Sequence, residues 1–432
     1  MNLFGTSGIR GRYPTEVHET LFLRLGSALA AIFDEAAVGR DVRDSGVPLQ
    51  ASLVAGLTSG GVHVHDCGIV TTPTIAHLAA RFDFGGIITA SHNPPEYNGL
   101  KLWSSSGMPF DLDLRSRVED AMESEPSHEG WNGIGQLLRY EGALMEHKEA
   151  ILAAIEPSEV KVALDCGNGA ASLLTPLVLR EMGCRVLTLH SQPDGSFPGR
   201  GAEPTNEALG DLRKAVVSSR CGVGIAHDGD GDRMVAVDEE GDVVKAEKLL
   251  ILFAQALKAG KVVVPVDASM VLEDVLGEER VVRTRVGDVF VAESVLREEA
   301  DLGGEASGTW IFPGYALYPD GVYAAAYLCS ILQRENLRSL TEEIPDYPIL
   351  RGSITYDPTE AKSERLAAEL ESMDVAEVSR LDGWRLAFDD AWALVRPSGT
   401  EPKMRITVEA REEGRAREIY ASLHSKVSEA IL

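Results

Sequence analysis

Hydrophobic and polar positions along the chain follow two periods, and the sequence of periods recurs as a unit. The unit reads as a strand or loop ending near an aspartate, an amphipathic helix, a glycine or charged turn, and a β-branched strand. It occurs at residues 39–66 (GRDVRDSG, LQASLVAGLTSGG, VHVHDCG), at 162–189 (VALDCGNG, AASLLTPLVLREMG, CRVLTLH) and at 262–286 (VVVPVDAS, MVLEDVLGEE, RVVRTRVGD). Such units predict mainly parallel sheets flanked by helices. Copies about 100 to 120 residues apart are repeated domains rather than a short solenoid. The stripe LFLRLGSALAAIF, residues 21–33, predicts a core helix, and ALMEHKEAILAAI predicts another. Gly85, Gly86, Ile87 and Ile88 predict a buried strand, after which an apolar run resumes at Leu100, Leu102 and Trp103.

Composition marks the boundaries. Polar residues 123–133 end the first unit, the hairpin-like VDEEGDVV at 237–244 precedes the third, and EEIPDYP at 342–348 closes it. Beyond 349 the order changes to strands, a helix near 360–371, strands and a C-terminal helix. The predicted fold class is α/β: three related domains, 1–135, 136–240 and 241–345, followed by a smaller α+β domain, 346–432.

The formal net charge of −26 and pI of about 4.8 argue against nucleic acid and anionic membrane as partners. An anionic small molecule would need positive charge concentrated locally. Five scattered cysteines without CxxC spacing predict reduced thiols. With no signal-peptide pattern and no apolar run of membrane-spanning length, the expected location is cytoplasmic.

Several stretches carry candidate chemistry. TASHNPPEYNGLK, residues 89–101, places Ser91 after a buried strand on a turn stiffened by Pro94 and Pro95. That is how α/β enzymes present a nucleophile, although an ordinary polar turn has the same composition. HDGDGDR, residues 227–233, alternates Asp228, Asp230 and Asp232 with glycine between two strand candidates. Three carboxylates in one tight turn repel one another unless a cation neutralises them, and oxygen ligands favour Mg²⁺ or Ca²⁺. An EF-hand is excluded because Arg233 stands where that loop needs glycine and the flanks read as strands. RPSGTEPKMR, residues 396–405, gathers Arg396, Lys403 and Arg405 around Ser398, Gly399 and Thr400, a composition suited to cradling phosphate. GGEASGTW, with Glu305 and Ser307, and FGTSGIRG, with Arg10, are weak taken singly.

In chain order, FGTSGIRG, TASHNPPEYNGLK, DGDGDR, GEASG and RPSGTEPKMR resemble the α-D-phosphohexomutase family over nearly the whole chain. The resemblance implies four domains around a central cleft and an intramolecular phosphotransferase. It implies that Ser91 is carried as phosphoserine and that Asp228, Asp230 and Asp232 hold Mg²⁺ with a phosphoserine oxygen as a further ligand. Arg10 and Lys101 would lie near the reacting phosphoryl group, and Arg233 beside the metal. Glu305 and Ser307 would face the sugar, while Arg396, Ser398, Gly399, Thr400 and Arg405 would grip the non-reacting phosphate. The implied partner is a sugar phosphate, with a hexose 1,6-bisphosphate as primer and intermediate, and the implied assembly a monomer or homodimer.

Two departures bear on this. Thr309 follows Gly308 where many members have histidine, so no role of that histidine carries over. RVGD, ending at Asp288, is closer to phosphoglucosamine mutases than to the phosphoglucomutase/phosphomannomutase group. The resemblance therefore implies interconversion of glucosamine 6-phosphate and 1-phosphate. Phosphomannomutase/phosphoglucomutase activity is the alternative, and a non-catalytic sugar-phosphate sensor would be expected to lack Ser91 or the aspartates.

Overall fold

In the computed structural model, which describes residues 3–5, 8–125, 128–333, 335–356, 363–397 and 402–431, all three repeats are strand–helix–strand units with parallel pairing. Glu35–Arg40 pairs with His63–Ile69 around the helix Gly46–Ser59. Lys161–Asp165 pairs with Arg185–Leu189 around Thr175–Glu181. Val262–Pro265 pairs with Val281–Thr284 around Val271–Leu276. The described residues form four sheets of six, four, four and five strands. Each of the first three combines parallel pairs with antiparallel ones, and the last is antiparallel throughout.

Local chemistry sets the elements. The helix Glu19–Ala30 starts where His18 Nδ1 accepts the Leu21 N–H, slightly before the predicted stripe, and buries Phe22, Leu25 and Leu29. Gly26 would cost this helix stability on propensity alone. It is required because the helix meets Gly46–Ser59 backbone to backbone: a Cβ on Gly26 would stand 2.3 Å from Leu53 O, and one on Gly56 2.2 Å from Leu23 O.

Each domain also carries one antiparallel strand pair whose tip bears a candidate motif. Phe84–Ile88 and Tyr97–Ser104 hold the serine loop, and Val223–His227 and Met234–Val237 hold the aspartate turn. Leu302–Glu305 and Thr309–Ile311 hold the Glu305 turn, and Ala391–Pro397 and Lys403–Ala410 flank the basic turn. Ser398, Gly399 and Thr400 at that last tip lie outside the described residues.

Packing joins the first three domains more tightly than the fourth. The largest apolar cluster runs through the second and third domains, including Ile225, Phe253, Trp310 and Val322. The first and fourth domains have clusters of their own, and Val266 of the third meets the fourth at Trp392 and Leu394. A polar joint links all three α/β domains. His147 is fully buried and lies 2.9 Å from Thr74 Oγ1 through Nδ1 and 2.9 Å from Asp320 Oδ2 through Nε2. The carboxylate can only accept, so Nε2 donates; Asp320 also caps the helix Gly321–Ile331 through the N–H groups of Val322 and Tyr323.

Replacing His147 with leucine keeps the bulk and strands Thr74 and Asp320 without their partner. Chemical denaturation of the full chain is expected to show a loss of about 1–3 kcal/mol. A loss below about 0.5 kcal/mol would mean that the joint contributes little to holding the domains together.

Candidate active site

Ser91 lies where the first two domains meet. It lies at φ +50°, is 1% exposed, and its Oγ donates to Asp228 Oδ2 at 2.6 Å. The approach depends on a glycine: a Cβ on Gly229 would stand 2.6 Å from Ser91 O. The aspartate turn is held closed by its own backbone. Asp228 Oδ1 accepts the N–H groups of Gly231 (3.1 Å) and Arg233 (3.3 Å). His227 Nδ1 donates to the Arg233 carbonyl at 2.8 Å, while the Thr175 hydroxyl lies 3.1 Å from its Nε2.

Oxygen atoms of Asp228, Asp230 and Asp232 lie within 4.8 Å of one another, and all three residues are buried. Lys101 Nζ donates to Asp230 Oδ2 at 2.9 Å and to Asp232 Oδ2 at 2.6 Å, and Thr72 Oγ1 donates to Asp230 Oδ2 at 2.5 Å. Asp230 Oδ1 and Asp232 Oδ1 have no hydrogen-bond partner among the described residues. Buried carboxylate oxygens left without partners, on a turn with a third carboxylate alongside, form a donor set suited to a hard divalent cation.

The electrostatics follow from crowding like charges in a dry place. Burial, then the charges of Asp232 and Asp230, push the Asp228 carboxyl well above its ordinary range, opposed by Arg233 and Ser91. Burial acts on Asp230 in the same direction, but Lys101 and the Thr72 hydroxyl overcome it and hold that carboxyl below its ordinary range. Burial works against the charge on Lys101, yet Asp230 and Asp232 raise its pKa and keep it an ammonium. His92 is pushed down to about 3, first by burial and then by Arg233, Arg10 and Lys101, so it is neutral at physiological pH.

The serine and aspartate loops open onto a cleft of about 510 Å³. Its lining brings together Arg10, Ser91, Lys101, Asp232, Arg233, Glu305, Ser307, Arg396 and Arg405. Asp228 and Asp230 lie beneath this surface, fully buried. Arg10 donates to Asn93 Oδ1 at 3.1 Å, and Arg396 to Asp382 Oδ2 at 3.2 Å. Arg233, whose Nε is 4.0 Å from Asp232 Oδ1, bridges in backbone to Thr309 and so ties the aspartate turn to the Glu305 turn. Glu305 Oε1 accepts the Gly287 N–H at 3.0 Å. Burial and then Asp288 push the Glu305 carboxyl up to about 7, opposed by Arg233. Asp267 and Asp288 line the same cleft. A larger open groove, about 690 Å³, lies between residues 157–161 and Leu332, Gln333, Glu335 and Asn336, away from these groups.

Sequence reasoning did not single out Asp41, Arg43, Thr72, Thr89, His227 or Asp267. Asp41 and Arg43 lay in view as the turn of the first repeat, and Asp267 as the turn of the third. Asp41 and Arg43 pair with each other two residues apart, but their other partners lie about 50 residues away and could not be read there. The residues of CGNG, 166–169, form a turn with Gly167 and Asn168 at positive φ. His63 and His65 belong to no metal-ligating group among the described residues, and His65 Nε2 instead meets Glu35 at 2.7 Å. The five cysteines are unpaired, and no helix among the described residues is long and apolar enough to cross a membrane.

Four family models match the chain in order: phosphoglucomutase/phosphomannomutase α/β/α domain I at residues 1–129, domain II at 140–241, domain III at 245–347 and the C-terminal domain at 357–424. A protein of Methanosarcina acetivorans named a probable phosphoglucosamine mutase is 45% identical, with all of both chains covered. One of Methanocella arvoryzae with the same name is 43% identical over 100% of this chain and 99% of its own. Among solved structures, a phosphoglucomutase/phosphomannomutase family protein of Burkholderia thailandensis superposes with a TM-score of 0.87 at 27% identity, covering 99% of this chain and 97% of that one. The four domains, their order and these full-length relatives establish that the chain belongs to the phosphoglucomutase/phosphomannomutase family and is an isomerase of the mutase type.

Proposed function

We propose that this mutase interconverts glucosamine 6-phosphate and glucosamine 1-phosphate through a phosphoserine at Ser91 and a 1,6-bisphosphate intermediate. The observation that carries the reading is the 2.6 Å contact of Ser91 Oγ with Asp228, beside two carboxylate oxygens without partners and open to a cleft ringed by arginines. In the reaction, the bond from phosphorus to Ser91 Oγ breaks as phosphorus bonds to the free hydroxyl of the sugar monophosphate. The bisphosphate turns over in the cleft, and its other phosphate returns to Ser91. The net result is a shift of phosphate between C6 and C1.

Phosphoryl transfer asks the protein for alignment and for neutralisation of charge on the equatorial oxygens. Arg10 and Lys101 line the cleft beside Ser91 and supply part of that charge. Asp228, Asp230 and Asp232, with a phosphoserine oxygen, would hold Mg²⁺, which when bound supplies further neutralisation. Arg233 stands beside that group. Glu305 and Ser307 orient the sugar hydroxyls, and Arg396 and Arg405, with Ser398, Gly399 and Thr400, hold the phosphate that is not reacting. The domain limits 1–135, 136–240, 241–345 and 346–432 belong to the same reading, since each domain then contributes one loop. The apolar contact between the third and fourth domains is small and the rest of their contact is polar, which suits the fourth to open while the intermediate turns. A cytoplasmic location fits an enzyme of phosphorylated sugars.

The amino sugar is favoured by three carboxylates, Asp267, Asp288 and Glu305, that line the cleft. A 2-ammonium group placed there meets carboxylates, whereas a 2-hydroxyl gains no ionic partner.

Ser91→Ala is expected to form no phosphoenzyme and to lose about 10⁴-fold or more in kcat. Turnover near the wild-type rate would exclude the phosphoserine. The second expectation concerns pH. Glu305, with its pKa raised to about 7, is an anion above that pH and neutral below it. The ratio of kcat/KM for glucosamine 6-phosphate to that for glucose 6-phosphate is expected to fall by up to about tenfold per pH unit below 7. Taking the ratio removes the titration of the phosphate common to both. Equal kcat/KM for the two sugars at pH 8 would instead favour the broad phosphoglucomutase/phosphomannomutase activity.

A further inference from the structure

Arg43 has no place in the mechanism above, yet it is fully buried against the serine loop. A guanidinium has five N–H donors, and all five are committed here. Nε donates to Asp41 Oδ2 at 3.0 Å. One terminal nitrogen serves the carbonyls of Pro94 (2.5 Å) and Tyr97 (3.0 Å), and the other those of Ser91 (2.8 Å) and Asn93 (2.7 Å). The loop needs such a partner because Pro94 and Pro95 carry no N–H and prevent a regular ladder from satisfying its carbonyls.

Both peptide groups of Ser91 lead back to the same aspartate. Its N–H donates to Thr89 Oγ1 at 2.9 Å, and that hydroxyl donates to Asp41 Oδ2 at 2.7 Å. Its C=O accepts from Arg43, which Asp41 holds. The left-handed backbone of Ser91, disfavoured for serine, is thus pinned on both sides. The second domain reaches this clamp through Phe197, whose ring centroid lies 4.9 Å from the Arg43 Cζ. Phe197 is itself at φ +50°, an uncommon conformation for a bulky residue, and is 3% exposed. The same ring packs beside Gly229, the glycine that abuts Ser91 O.

We propose that Arg43 is a positioning residue for phosphoryl transfer, aiming Ser91 Oγ, and that Phe197 makes this aim depend on docking of the second domain. The inference rests on the phosphoserine reading and adds the device that sets its geometry. Arg43→Lys keeps a charge opposite Asp41, but its three donors cannot serve five acceptors. Phe197→Leu keeps apolar volume and removes the π face, and Phe197→Tyr keeps that face.

The test uses full-length enzyme phosphorylated from labelled glucose 1,6-bisphosphate, then follows transfer of the label to sugar against its loss to water. Unfolding lowers both alike, whereas a misaimed phosphoserine lowers the ratio of transfer to hydrolysis. For Arg43→Lys the ratio and kcat are expected to fall about tenfold or more, with KM for the sugar within about threefold of wild type. Phe197→Leu is expected to lower the ratio about threefold, and Phe197→Tyr to restore it. A ratio within about twofold of wild type in both Arg43→Lys and Phe197→Leu overturns the proposal. Wild-type enzyme that takes up no label overturns the phosphoserine reading on which it stands, so the two failures are distinguishable.

Discussion

Three carboxylates buried within reach of one another form the constraint on which this active site depends. In a dry interior such a group is unstable unless opposite charge is brought to it. The protein supplies part of that charge from the first domain, where Lys101 bridges Asp230 and Asp232, and part from Arg233 on the same turn. The remaining deficit is visible as two oxygens without hydrogen-bond partners among the described residues. The same deficit that would destabilise an isolated turn suits it to a divalent cation, and the turn lies against the hydroxyl of Ser91. Stability and chemistry are in tension here, and the glycines at 229 and 231 permit the close packing that both require.

The domains divide the labour by a shared construction. Each sends an antiparallel strand pair to the cleft, and each tip carries one function: the serine, the acidic turn, the Glu305 turn and the basic turn. The α/β domains are fixed to one another by apolar packing and by the His147 joint. That rigidity suits groups that must hold a reacting phosphorus in line. The antiparallel fourth domain, with its separate core, brings the basic turn and meets the third through Trp392 and Leu394 against Val266 and through Arg385, Glu409 and Arg411.

Much of this was legible in the sequence because it is local. The alternation of β-branched and amphipathic segments revealed the three units, and the motifs around Ser91, Asp228 and Glu305 fall at the tips of strand pairs, where function is exposed. What was not legible is long-range. Arg43 reads as an ordinary turn residue until its four carbonyl partners, about 50 residues away, fold over it. Thr72 reads as the start of a helix, and its contact with Asp230 spans two domains. Gly26 reads as a flaw in a helix until Gly56 is laid against it. His147, on a predicted helix, becomes a joint only when Thr74 and Asp320 arrive from other domains.

The central claim is that the phosphoryl group passes between Ser91 and the sugar without escaping to water. Rapid-quench analysis of phosphoenzyme mixed with excess glucosamine 6-phosphate and Mg²⁺ tests it most directly. The account predicts that the phosphorus leaving Ser91 appears first in glucosamine 1,6-bisphosphate, within one turnover, and then in monophosphate. Its appearance as inorganic phosphate at the rate of turnover, with no bisphosphate formed, would contradict the account.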